Sequence, residues 1–130
     1  MSHHLDLILL DPPFAICRLD PNAAPPAWGM EGPFWSVTRT PDELSVVCEV
    51  ERVPSHISAE GPWRALKVAG PLDFALTGIL ASLAHPLAKA GISIFALSTF
   101  DTDYLLVKAD HLAAAVEALR DAGHRIPETL

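Results

Sequence analysis

Between Ala90 and Asp110 the chain reads AGISIFALSTFDTDYLLVKAD, and few folds accommodate such a run. Gly91 follows a stretch of helical apolar spacing and suits the left-handed position just past a helix end. Ile92 to Thr99 and Tyr104 to Lys108 read as half-buried strands. The intervening FDTD, Phe100 to Asp103, gives a short turn in which aspartate supplies the turn chemistry. Asp110 then stands where an N-cap opens a second helix, with Leu112, Ala115, Val116 and Leu119 on one face and Gly123 closing it.

Upstream, Arg64 to Ala69 alternates as a strand, and Gly70-Pro71 breaks it. Leu76, Ile79, Leu80, Leu83 and Leu87 recur at the spacing of one helix face, which predicts a helix starting near Asp73 to Ala75 and ending at Gly91. Pro86 falls inside that helix, where its ring crowds the carbonyl of Ser82 and one hydrogen bond is lost. The segment HRI, 124–126, adds a last short strand. The order β-α-β-β-α-β predicts an α+β, ferredoxin-like unit, an antiparallel sheet with both helices on one face. The open face and edges of such a sheet call for cover, from the first half of the chain or from a second chain.

The first half has a different texture. Leu5 to Asp11 and Phe14 to Leu19 read as strands joined at Pro12-Pro13, which cannot donate to a sheet ladder. Asp20 to Gly32 is a proline-rich surface loop pinned at Trp28. After a strand at Phe34 to Arg39, Thr40, Pro41 and Glu43 have the spacing of a capping box and predict one short helical turn. Leu44 to Val50 is a further buried strand. Glu51 to Pro62 is polar and carries Gly and Pro, which places a linker over 54–62 between a first half, 1–53, and the regular unit, 63–130.

Charge and composition exclude several classes. Nine basic residues against sixteen acidic ones give a net charge of −7, which repels phosphate backbones and anionic membrane surfaces, so neither nucleic acid nor membrane is an expected partner. The longest mostly apolar run, Ala75 to Ala84, is too short to span a bilayer. With no signal-like N-terminus, the chain reads as cytoplasmic. Cys17 and Cys48 fall in predicted strands and read as buried free thiols. The six histidines show no metal-ligand spacing, and no nucleophile elbow, P-loop or dinucleotide fingerprint occurs, so no metal, no cofactor and no catalytic residue is expected.

The segment LTGILASLAHPLAKAGISIFALSTFDTDYLLVK resembles an ACT domain, the small regulatory module of amino-acid metabolism. The likeness rests on Thr77-Gly78-Ile79 before an apolar helix, on Ala90-Gly91-Ile92-Ser93-Ile94, and on a strand ending in Ser98-Thr99. With FWSVTRTPDELSVV in the first half, the chain is similar to the small bacterial ACT proteins related to the CASTOR arginine sensors. That resemblance implies an abbreviated, strand-rich ACT-like first half before a full ACT domain. It also implies a non-enzymatic regulatory protein that binds a free amino acid, and a homodimer. The residues it carries over as ligand contacts are Gly70, Pro71, Leu76, Thr77, Gly78, Ile79, Thr99, Phe100 and Asp103. The sensors have a Glu where this chain has Leu76, which removes one polar contact.

The residues support such a site on physical grounds as well. A helix N-terminus presents unpaired N–H groups to a carboxylate, and Gly78 lets a ligand approach the backbone closely. Gly70-Pro71 leaves a second gap, and Asp101 or Asp103 could accept from a ligand ammonium. Two bland roles stand beside these: Gly78 as a close-packing residue, and Thr99 and Asp103 as ties within the hairpin. Two other functions also stay open, a structural or protein-interaction module with a vestigial site, and a small enzyme on the same fold.

Overall fold

The computed structural model describes residues 3–73 and 76–127. Its elements are strands β1 (Leu7–Leu9), β2 (Phe14–Leu19), β3 (Ser36–Arg39), β4 (Leu44–Glu49) and β5 (Ala59–Val68), helix α1 (Ile79–Lys89), strands β6 (Ile94–Ser98) and β7 (Asp103–Lys108), and helix α2 (Leu112–Asp121). Two compact units divide the chain. Met1–Asp11 and Arg64–Leu130 make one, and Pro12–Trp63 makes the other.

The first unit is the helical one. β6 and β7 form the expected hairpin, with Ile94 opposite Val107 and Ser98 opposite Asp103, and β7 neighbours β5. On the other side of β5 lies β1, antiparallel, with Leu7 opposite Val68 and Leu9 opposite Leu66. Residues up to Asp11 therefore belong with this unit rather than with a first half over 1–53. The expected strand at HRI shrinks to a single parallel bridge between Arg125 and Asp6, on the outer edge of β1. β1 has the apolar character for that inner position. Leu5 and Leu7 are 8 % and 2 % exposed, whereas 124–126 offers only Ile126 as an aliphatic side chain.

Both helices lie on one core. Leu83 and Leu87 of α1 meet Ala115, Val116 and Leu119 of α2, together with Leu66, Val68, Leu105 and Val107 from the strands. This is the ferredoxin-like α+β arrangement. α1 begins at Ile79, later than the apolar spacing suggested. Phe74 and Ala75 lie outside the described residues, and Leu76 and Thr77 are not helical. Gly78 has φ +80°, a left-handed turn that no helix can pass through, so the helix can only start after it. Asp110 is not an N-cap either. It sits in a 3₁₀ turn, Ala109–His111, and His111 holds the capping position of α2 without a side-chain bond.

The second unit is all β, with β4 between β3 and β2 and the first part of β5 on the far side of β2. Leu44, Val46, Cys48, Ala15 and Cys17 form its core, and Trp28 packs against it from the 20–32 loop. Residues 59–62, expected in a linker, are strand: Cys17 is opposite Ala59, Ile16 opposite Glu60 and Phe14 opposite Trp63. The count is uneven because the Gly-Pro at 61–62 sits in a bulge, where proline is tolerated and the ladder skips. A side chain at Gly61 would reach 3.0 Å from the Phe14 carbonyl.

Thr40 does accept from the amides of Asp42 and Glu43, both at 3.1 Å. Its own amide, however, donates to the Glu43 carbonyl at 2.9 Å. The capping pattern therefore closes the β3–β4 turn, and no helical turn forms. Cys17 and Cys48 are buried free thiols, as expected. Burial pushes the Cys17 thiol up to about 11, helped by Cys48 beside it.

Candidate functional site

In the helical unit, the chain between β5 and α1 runs beside the β6–β7 turn, and hydrogen bonds fix both. The turn closes on itself: the Thr99 amide donates to the Thr102 carbonyl at 2.8 Å, and the Thr99 hydroxyl donates to the same carbonyl at 3.1 Å. The Thr102 hydroxyl donates to the Val68 carbonyl at 2.7 Å and so pins the turn to the end of β5. The Leu72 amide donates to the Asp101 carbonyl at 2.8 Å, which ties the approach to α1 to the same turn.

A cleft of about 290 Å³ opens between these two walls. On one side are Asp73, Leu76, Gly78 and Ile79. On the other are Ser98, Thr99, Phe100, Asp101 and Asp103. Gly78 is the N-cap of α1, and a glycine brings no side-chain acceptor to the first-turn amides, so that end of the helix keeps its partial positive charge. Three carboxylates, Asp73, Asp101 and Asp103, share the cleft. The Ser98 hydroxyl donates to Asp103 Oδ1 at 2.6 Å and orients that group. The cleft thus offers amide donors at one place and anionic acceptors at another.

Of the nine residues singled out in the sequence, Leu76, Gly78, Ile79, Thr99, Phe100 and Asp103 line this cleft. Gly70 and Pro71 do not. They open on a neighbouring cleft of about 220 Å³ that shares Thr99, Asp101 and Thr102 and is bounded by Lys67 and Tyr104. The Lys67 ammonium lies 6.0 Å from the centre of the Tyr104 ring. Gly70 also packs closely, since a Cβ there would come within 3.1 Å of the Leu72 nitrogen. Thr77 is absent from the lining of both clefts. Its carbonyl accepts from His3 Nε2 at 2.8 Å.

Sequence reasoning did not single out Thr102, Asp73 or His3. Thr102 is 4 % exposed and holds the turn in place. The Thr-x-x-Thr spacing of 99 and 102 was the available signal for it. Nothing in the sequence pairs His3 with Thr77, 74 positions away. Among the described residues no group of three His, Cys, Asp or Glu side chains converges to hold a metal ion, and no helix is long and apolar enough to cross a membrane.

A sequence model of the ACT domain matches residues 58–121, and a separate model, of an N-terminal domain, matches residues 13–56. The human cytosolic arginine sensor for mTORC1 subunit 1 is 35 % identical over 95 residues, 67 % of this chain and 29 % of the sensor. The chain therefore spans less than a third of the length of that relative. A crystal structure of an Agobacterium tumefaciens protein superposes with TM-score 0.91 at 41 % identity, covering 97 % of this chain and 94 % of that one. The regulatory subunit of aspartate kinase from Thermus flavus shares the fold, with TM-score 0.61 at 13 % identity over 89 % of this chain and 95 % of its own. With this match and this fold, the chain belongs to the ACT domain family and is related to the cytosolic arginine sensors.

Proposed function

We propose that the protein is a non-enzymatic regulatory module that binds a free amino acid in the cleft between the start of α1 and the 99–103 turn, and that it works in the cytoplasm as a homodimer. The observation that carries this reading is that one cleft brings the N-terminus of a helix opposite two carboxylates. The glycine-capped N-terminus of α1 suits an α-carboxylate. Asp101 and Asp103 across from it suit an ammonium group. Both line the same opening of about 290 Å³. Asp73 adds a third carboxylate, which favours a cationic side chain, and the relatives named as arginine sensors make arginine the first ligand to try. Leu76, 47 % exposed, offers only hydrocarbon to such a side chain. Gly70 and Pro71 stand in the adjoining cleft, where a longer ligand would reach. The homodimer reading rests on β6, which comes last in the order of the described strands, where a second copy could meet the sheet.

A thermal-shift panel of the proteinogenic amino acids tests the reading. Saturation at a hundredfold excess over Kd stabilises by about 2.7 kcal/mol, and the shift is expected to vanish in Asp103→Ala while the variant still melts cooperatively. A panel in which no amino acid moves the melting point removes the proposal. Sedimentation of the chain as a monomer would remove the dimer.

One observation favours a second reading, a protein-interaction module. Phe100, which lines the cleft, is 81 % exposed, and Leu76 on the facing wall is 47 % exposed. Under that reading Phe100→Ser changes association measured by light scattering, and no amino acid shifts the melt.

A further inference from the structure

α1 contains a proline, and the consequence reaches the far end of the chain. Pro86 has no N–H to give to the Ser82 carbonyl four residues back. His124 supplies the missing donor: its Nε2 lies 2.8 Å from that carbonyl. The other ring nitrogen, Nδ1, lies 3.1 Å from the backbone nitrogen of Leu5. An amide can only donate, so Nδ1 accepts there and Nε2 carries the hydrogen. Only the neutral ring in that one tautomer satisfies both contacts. The residue is 4 % exposed.

Segment 3–6 is tied to the residues just before α1 and just after α2 by a short series of contacts. Leu5 donates to His124, and the Leu5 carbonyl accepts from the Arg125 amide at 2.8 Å. The His4 ring lies over Gly123, with Nε2 2.8 Å from the point a Cβ there would occupy. His3 donates to the Thr77 carbonyl beside Gly78. That last contact needs only an N–H on Nε2, so it survives protonation of His3. The Leu5 contact does not survive protonation of His124, because a second ring N–H would then face the Leu5 N–H, donor against donor.

We infer that His124 is a proton-operated latch: uptake of one proton by its ring releases the Leu5 end of segment 3–5, and with it the His3 contact that steadies the turn at Gly78. His3 and His85 share with His124 a groove of about 540 Å³. Lys89 from α1 and Asp121 from α2 also line the groove and offset one another. Arg120 is engaged with the carbonyls of Ile126 and Pro127, and Arg125 is paired with Asp6. The two contacts of the His124 ring are both to backbone groups, so neither partner is a carboxylate that would favour the charged ring. The open form takes up the proton, so the closed latch loses stability as pH falls. The inference concerns the fold of the helical unit and stands independently of any ligand in the cleft.

Residue-resolved amide exchange on the full chain, corrected for intrinsic rates and followed from about pH 7.5 to about pH 5.5 across the ordinary histidine range, tests the latch. Protection of the Leu5 amide is expected to fall by up to about tenfold per pH unit, and the Gly78 and Ile79 amides to loosen with the same midpoint. In His124→Gln, whose amide can accept and donate but does not titrate, that pH dependence disappears. Should the variant fail to fold, ring nitrogen shifts of the wild type decide. The Nε2–H tautomer at neutral pH, with protonation coincident with loss of Leu5 protection, supports the latch. Leu5 protection that is constant with pH, that varies equally in the variant, or that accompanies an Nδ1–H tautomer overturns it.

Discussion

Thr102 shows how much of the cleft depends on a single hydroxyl. It is 4 % exposed and donates to the carbonyl of Val68, which would otherwise be buried without that partner. Thr102→Val keeps the shape and removes the donor, and should cost about 1–3 kcal/mol in urea unfolding, while Thr102→Ser stays near wild type. Two glycines make a second comparison. Gly78 has φ +80° and open space, since a Cβ would lie 3.7 Å from His3; Gly123 has φ +97° and would drive its Cβ to 2.8 Å from His4. Gly78→Ala should therefore carry backbone strain alone, about 1–2 kcal/mol, and Gly123→Ala more, because the His4 ring must also move. Melting points in the reverse order would count against this placement of His4. At this scale the sequence made Gly78, Thr99 and Asp103 visible, because glycine before a helix and Thr or Asp in a turn have local meanings. Thr102 and His124 escaped notice because their partners are carbonyls 34 and 42 positions away, and such partners leave no local pattern.

Among the elements, the hairpin and α2 were the most legible, since their periods run without interruption and tertiary contacts only reinforce them. The start of α1 was less so. Leu76 fits the apolar spacing of the helix, but spacing is blind to the left-handed backbone at Gly78 that delays the first turn. Thr40 and Glu43 likewise have the sequence of a helix cap and form those bonds in a hairpin turn, where the strands on either side decide the outcome. The linker was misread because Gly-Pro usually breaks a strand, and here it occupies a bulge within one. Pro86 was read correctly as costing α1 a hydrogen bond, although the group that compensates it lies in no predicted helix. A double-mutant cycle tests that compensation. His124→Leu should destabilise by about 1–3 kcal/mol. In a Pro86→Ala background, where the restored backbone N–H at position 86 can serve the Ser82 carbonyl, the loss should shrink, with a coupling of about 0.5–3 kcal/mol. Strict additivity would separate the two residues.

For the molecule as a whole, the α+β class was legible because the βαββα order lies in one uninterrupted stretch, and the family through motifs such as Thr77-Gly78-Ile79 and Ala90 to Ile94, whereas the division into units was not. β1 is remote in sequence from the strand it pairs with, and no local pattern announces that pairing. The whole-molecule pH response has two further contributions. The Cys17 thiol, raised from 9.0 to about 11, contributes stability that is complete below pH 9.0 and is lost as pH rises towards 11. Native Cys17 should accordingly react far more slowly with a thiol reagent at mildly alkaline pH than it does in urea. Asp6, held below its usual range by the hydrogen bond from Arg125, acts in the opposite sense: its contribution is present above 3.8 and fades as pH drops, and salt should weaken it because both partners are exposed.

The ties from Leu5 to His124 and from Asp6 to Arg125 join positions 119 residues apart, and they bear on when folding can finish. Contacts of such long sequence separation form slowly, because a large loop must close before they are rewarded. During synthesis β1 is made early and has no outer neighbour until residue 125 emerges, so an apolar strand waits while the rest of the chain is built. Ser82, meanwhile, waits for the donor that Pro86 cannot supply. Completion of the helical unit is thus timed by its final turn of chain, and nascent chains halted before His124 should remain protease-sensitive at β1 even with α1 and the hairpin already made.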